Sequence, residues 1–109
     1  MTGVQTCALP ICDTNYRNRF KALWVEIAKH YKDDATILAY DIINEPCAAT
    51  QSAYLTLLSE TIDAIRAIDS NHIINVENGF STDNAPFELL SHDNILDRKS
   101  TRLNSSHRL

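Results

Sequence analysis

The run ILAYDIINEPC, residues 37–47, decides how the rest of the chain is read. From Ile37 to Ile43 it is nearly continuous in apolar residues, a composition suited to a strand covered on both faces. It then stops at Asn44-Glu45-Pro46. Proline has no N–H to give to a ladder, so Pro46 helps end strand pairing there. An amide and a carboxylate thus stand at the carboxyl end of a buried strand. In parallel α/β folds that position faces the ligand crevice, while strand interiors are packed core. Spacing alone also fits a plain strand-to-helix turn, with Asn44 bonded to a loop and Glu45 solvated.

Upstream, Tyr16, Phe20, Leu23, Trp24, Ile27, Ala28 and Tyr31 recur at helical spacing, predicting a helix near 14–32. Asp13 or Thr14 suits its N-cap, and Lys29, His30 and Lys32 suit the negative end of its dipole. Downstream, Tyr54, Leu57, Leu58, Thr61, Ile62, Ile65 and Ile68 form a second stripe, a helix near 50–69. Asp69-Ser70-Asn71 is a turn cluster, and HIINVE (72–77) reads as a second buried strand. Pro86 opens a short helix near 86–91, and Ile95-Leu96 begins a third strand near 95–96. Helices alternating with apolar strands predict an α/β fold with a parallel sheet.

The two ends stand apart. Plausible codons for Asp97 to His107, reverse-complemented, encode Met1 to Ile11 position by position, with GTG as the start codon, so one DNA segment read on opposite strands can encode both. Selection on a protein has no reason to produce that, and the deduced segment looks like a sequencing-library adapter. Residues 1–11 and 97–109 are therefore set aside from fold reasoning, leaving 12–96 as a partial domain. Four of the ten basic residues lie in the set-aside ends, against one of the fourteen acidic ones. The remainder is acidic, which argues against nucleic-acid binding. No apolar run approaches the roughly 20 residues that span a bilayer. Cys12 and Cys47 have neither metal-ligand spacing nor a disulfide framework, and no metal or cofactor is called for.

The segments WVEIAKHYKDDATILAYDIINEP (24–46) and TIDAIRAIDSNHIINVENG (61–79) resemble the family 5 glycoside hydrolases, the cellulase family. That resemblance implies part of a retaining (β/α)8-barrel glycosidase, in which Asn-Glu-Pro ends the fourth strand. It implies Glu45 as general acid/base and Asn44 as the residue orienting the sugar 2-hydroxyl and the nucleophile. It further implies a polysaccharide or oligosaccharide partner of the β-glucan kind, and an extracellular or periplasmic setting. The chemistry suits the residues. A retaining glycosidase needs one carboxyl to protonate the leaving oxygen and then deprotonate water. An apolar wall raises a Glu pKa toward that task, and a neighbouring amide supplies a neutral hydrogen bond. The family's nucleophile, a Glu on the seventh strand, falls beyond this chain, so the chain alone is expected to be inactive.

Other residues invite functional readings. Glu77 ends the next strand and could be mistaken for the second carboxylate, although a cleft-wall or loop-capping role suits it better. His72 opens a strand at the far end of the sheet and reads as structural or exposed; His30 reads as a solvated helix-end residue, and His92 is given no role. Cys47 has no evident paired base. Trp24 and Tyr31, at helical spacing, read as core rather than a sugar platform. The competing class is a small α/β binding or interaction module in which Asn44 and Glu45 merely end a strand.

Overall fold

The computed structural model describes residues 13–43, 51–78 and 93–99. Helix α1 spans Thr14–Tyr31. Asp13 caps it, its Oδ1 accepting from the backbone N–H groups of Asn15 at 2.8 Å and Tyr16 at 3.4 Å. These are two of the donors that a helix start leaves without intrahelical partners. Asp13→Ala is expected to cost about 0.5–2 kcal/mol, read as a lower urea midpoint with an unchanged slope. Lys29 and His30 occupy the last turn, as the dipole favours.

Strand β1 is Ala39–Asp41, helix α2 is Gln51–Arg66, strand β2 is Ile73–Asn78 and strand β3 is Ile95–Lys99. The sheet has the order β1-β2-β3, and both pairings are parallel. Ala39, Tyr40 and Asp41 lie level with Ile73, Ile74 and Asn75. Ile74 and Asn75 in turn lie level with Ile95 and Leu96. The expected parallel α/β order is therefore present, with a crossover helix between the first two strands. The short helix expected at 86–91 lies outside the described residues.

The core forms where α1 and α2 cover one sheet face. Tyr40, Ile42, Ile74 and Val76 supply the sheet side, and Tyr54, Leu57, Leu58, Ile62 and Ile65 the α2 side. The α2 stripe is buried as its spacing predicts, with Thr61 included because its hydroxyl donates to the Leu57 carbonyl at 2.7 Å. Fully burying each Leu or Ile contributes about 1.5–3 kcal/mol, so α2 is the main anchor of the sheet. Lys21 and Glu60 join the two helices at 3.2 Å. That ion pair is part-exposed and adds little beside the apolar contact.

Three expectations need correction. The strand expected over 37–43 is regular over Ala39–Asp41, with one further bond to β2 from Ile42, and Leu38 is 78% exposed. Among the described residues only one face of β1 packs on the helices, so burial alternates with the period of two that a one-sided strand shows. The α1 stripe is also narrower than its spacing suggests. Phe20, Trp24 and Ala28 pack on the core, whereas Tyr16, Leu23 and Tyr31 are exposed. Tyr31 is thus not core; it makes an edge contact with His30 at 4.6 Å between ring centroids. Finally, β3 runs on past Leu96 through Lys99. Ladder pairing is a backbone property, so the identity of residues 97–99 does not prevent it.

Candidate functional site

The carboxyl ends of the strands define one rim of the sheet. β1 reaches Asp41, continues through Ile42 and Ile43, and leads in sequence to Asn44 and Glu45. Asn44, Glu45, Pro46 and Cys47 lie outside the described residues, as does His92. Their anchors do not. Ile42 N–H donates to the Asn75 carbonyl at 3.4 Å, holding the chain to β2 just before the motif. On the far side of the motif, the Tyr54 hydroxyl in the first turns of α2 donates to the Glu77 carbonyl at 2.6 Å. The residues flanking the segment on both sides are therefore fastened to the β2 backbone, at Asn75 and Glu77.

Glu77 itself is 1% exposed. By alternation along β2 it points away from the Ile74 and Val76 side, as Asn75 does. The face that does not meet the helices thus carries Asp41, Asn75 and Glu77, a polar row in which Asp41 and Asn75 are cross-strand neighbours. No group of three or more His, Cys, Asp and Glu arranged to hold a metal occurs among the described residues. No described helix is long and apolar enough to cross a membrane.

The opposite, amino-terminal end of the sheet holds what the sequence reading missed. His72 is buried, which resolves its reading as structural rather than exposed. Its Nδ1 lies 2.6 Å from Asp69 Oδ2, and Tyr40 donates its hydroxyl to the same oxygen at 2.7 Å. Asp69 Oδ1 accepts from the N–H groups of Asn71 and His72 at 2.9 and 3.1 Å. Burial works to raise the Asp69 pKa, but the Tyr40 hydroxyl, the two backbone donors and His72 outweigh it and hold it at about 2. Burial, with Asp69 beside it, pushes the Tyr40 phenol well above its usual range. Arg66 straps this turn, donating through Nη1 to the carbonyls of Asp69 and His72. Through Nη2 it donates to the carbonyls of Asp93 and Asn94, ahead of β3. Asn94 has φ of 58°, the left-handed region asparagine tolerates. The one signal available beforehand was Asp69-x-x-His72 within a turn cluster. A cavity of about 570 Å³ lies at this same end, bordered by Lys32, Asp34, Leu38, Asn71 and His72.

Comparison with known proteins fits this architecture. The chain is 31% identical over 77 residues to endoglucanase C of Acetivibrio thermocellus, covering 71% of this chain and 22% of that protein. It is 31% identical over 74 residues to a beta-xylosidase of Phanerodontia chrysosporium, covering 67% of this chain and 16% of that one. The chain therefore spans less than a quarter of the curated relatives it matches. Among solved structures, the endoglucanase Cel5A of the hyperthermophilic Thermotoga maritima superposes with a TM-score of 0.65 at 32% identity, over 77% of this chain and 29% of that one. Endo-glycoceramidase II of Rhodococcus sp. shares the fold with a TM-score of 0.63 at 19% identity, over 81% of this chain and 24% of its own. The family model for cellulase, glycosyl hydrolase family 5, matches residues 11–100. The sheet of parallel strands is thus part of a (β/α)8 barrel, and the chain belongs to glycosyl hydrolase family 5.

Proposed function

We propose that this chain carries the acid/base portion of a retaining glycosidase acting on a β-glucan or related polysaccharide. Glu45 protonates the leaving glycosidic oxygen and then takes a proton from the attacking water. Asn44 holds the sugar 2-hydroxyl through a neutral hydrogen bond that strengthens as charge develops. The observation that carries this reading is the match of the family over 11–100, a span that includes Asn44-Glu45-Pro46 in order after a parallel strand. The parallel pairing also favours it over the binding-module alternative. The endoglucanase names of two relatives point to internal β-glucan bonds, and the beta-xylosidase name keeps xylose-based substrates within range.

The nucleophile comes from elsewhere in the barrel. Retention requires two carboxyl groups about 5–5.5 Å apart, both open to the sugar. Glu77 sits on a neighbouring strand but is 1% exposed, which suits a wall of the site better than a group that must form a glycosyl ester. The natural catalytic portion is taken as 12–96, with the codon-complementary ends 1–11 and 97–109 contributing no chemistry. An extracellular or periplasmic setting accords with a polymeric substrate too large to enter a cell.

The test is a graft. Residues 12–96 replace the superposed segment of the Thermotoga maritima endoglucanase, and hydrolysis of a soluble β-glucan is followed. Activity is expected from the graft and none from the isolated 109-residue chain. Hydrolysis by the isolated chain would overturn the assignment of the nucleophile to another part of the barrel.

A further inference from the structure

The Tyr40–Asp69–His72 cluster has no part in the chemistry proposed for Glu45, yet it ties together two stretches that are distant in sequence, 34–40 and 69–72. His72 Nδ1 faces Asp69 Oδ2 at 2.6 Å, and His72 Nε2 faces the Asp34 carbonyl oxygen at 3.1 Å. Both facing atoms are acceptors: a carbonyl never donates, and the Asp69 carboxylate accepts from two backbone N–H groups at Oδ1 and from the Tyr40 hydroxyl at Oδ2, which leaves an Oδ2 lone pair toward His72. A neutral imidazole owns one N–H and would turn a lone pair toward one of these oxygens. Only the doubly protonated ring satisfies both.

We propose that His72 is held as an imidazolium clip that pins the 32–38 segment to the α2–β2 turn, and that losing its proton releases that segment, making the amino end of the sheet pH-sensitive. The surroundings fit a held charge. From the turn, the Asp69 carboxylate bonds the ring; from β1, Tyr40 stacks on it at 5.0 Å between centroids and 30° between planes. From the 32–38 segment come the Asp34 carbonyl and its carboxylate, which the Thr36 hydroxyl and N–H keep ionised below its usual range. Arg66 of α2 is the opposing cation, and it is spent on the backbone carbonyls of Asp69 and His72. Lys32 and Asp33 border the same cavity as His72. Burial alone would lower the His72 pKa, but the Asp34 carbonyl and the Asp69 carboxylate raise it above the ordinary 6.5.

The sign follows from linkage. A histidine with a folded pKa above its unfolded one stabilises fully below about 6.5, and that contribution is lost as pH rises through the folded value. Asp69 acts at the other end: its stabilisation is present above 3.8 and lost as pH falls through about 2. The clip is therefore closed from about pH 4 to about pH 6 and opens toward alkaline pH.

Ring-nitrogen chemical shifts of the four histidines in the full ¹⁵N-labelled chain test this directly. The His72 signals are identified by their contacts with the Tyr40 ring, so no variant is required. The expected result is two protonated nitrogens at pH 6 and a titration midpoint above that of an ordinary histidine. A single protonated nitrogen at pH 6, or a midpoint at or below the ordinary value, overturns the proposal, including where the cluster simply fails to form. A second readout compares thermal midpoints between pH 6 and pH 9. The wild type is expected to lose stability over that range and His72→Gln to lose markedly less; equal losses in both would likewise overturn it.

Discussion

Glu45→Gln in the grafted barrel is expected to lower kcat on a β-glucan about 10²–10⁴-fold, the usual contribution of a positioned general acid/base. The size depends on the leaving group. A sugar alkoxide leaves poorly without a proton, so bond cleavage suffers fully, whereas an activated aryl glycoside departs unaided and loses far less in that step. For the aryl substrate the slow step becomes attack of water on the glycosyl-enzyme, which has lost its base. Glu45→Ala should then be rescued by azide, a nucleophile that needs no deprotonation, and the product should be a glycosyl azide of retained configuration. The alkaline limb of the pH profile, set by ionisation of the acid, should also disappear in either variant. Equal losses on both classes of substrate, with no azide product, would identify a folding or binding defect and remove Glu45 from the chemistry.

The elements of this fold are legible in the sequence because burial leaves a periodic trace. Leu57, Leu58, Thr61, Ile62 and Ile65 recur at helical spacing and all are buried, so the stripe reports the contact faithfully. The α1 stripe reports less faithfully, because spacing marks the apolar side of a helix but not the width of what covers it. Leu23 therefore shares a face with Trp24 and yet is 57% exposed. Asn44 and Glu45 stand out through the abrupt end of an apolar run and through family resemblance, and the described residues fix only the two anchors of their segment. The Tyr40–Asp69 bond spans 29 positions and leaves no periodic mark, so nothing local connects Tyr40 to His72. Arg66 is hidden for a related reason, since all four of its partners are backbone carbonyls that any residue could supply.

The largest loss of stability is expected at Asp69. Asp69→Ala strips four donors of one shared acceptor group: the Tyr40 hydroxyl, His72 Nδ1 and the N–H groups of Asn71 and His72. It also leaves the buried His72 ring without its counter-charge. Removing one partner of a buried, hydrogen-bonded pair costs about 3–5 kcal/mol, because the remaining polar groups stay buried and unmatched. Native domains are stable by only about 5–15 kcal/mol, so this one substitution removes much of the margin. Asp69→Asn separates charge from shape. The amide keeps the size and one carbonyl acceptor, so the turn can retain its backbone bonds, but an NH₂ group must face either Tyr40 or His72. An intermediate loss is expected for Asn, accompanied by a His72 that titrates below its wild-type value. Urea unfolding of the graft, in which the sheet has its neighbours, reads both variants, and ring-nitrogen shifts report the histidine. If Asp69→Ala costs no more than about 0.5 kcal/mol, the level of an ordinary surface substitution, the cluster does not hold the amino end of the sheet. If Asn and Ala are equally harmful, the carboxylate's charge rather than its acceptor geometry is what the turn, Tyr40 and His72 are assembled around.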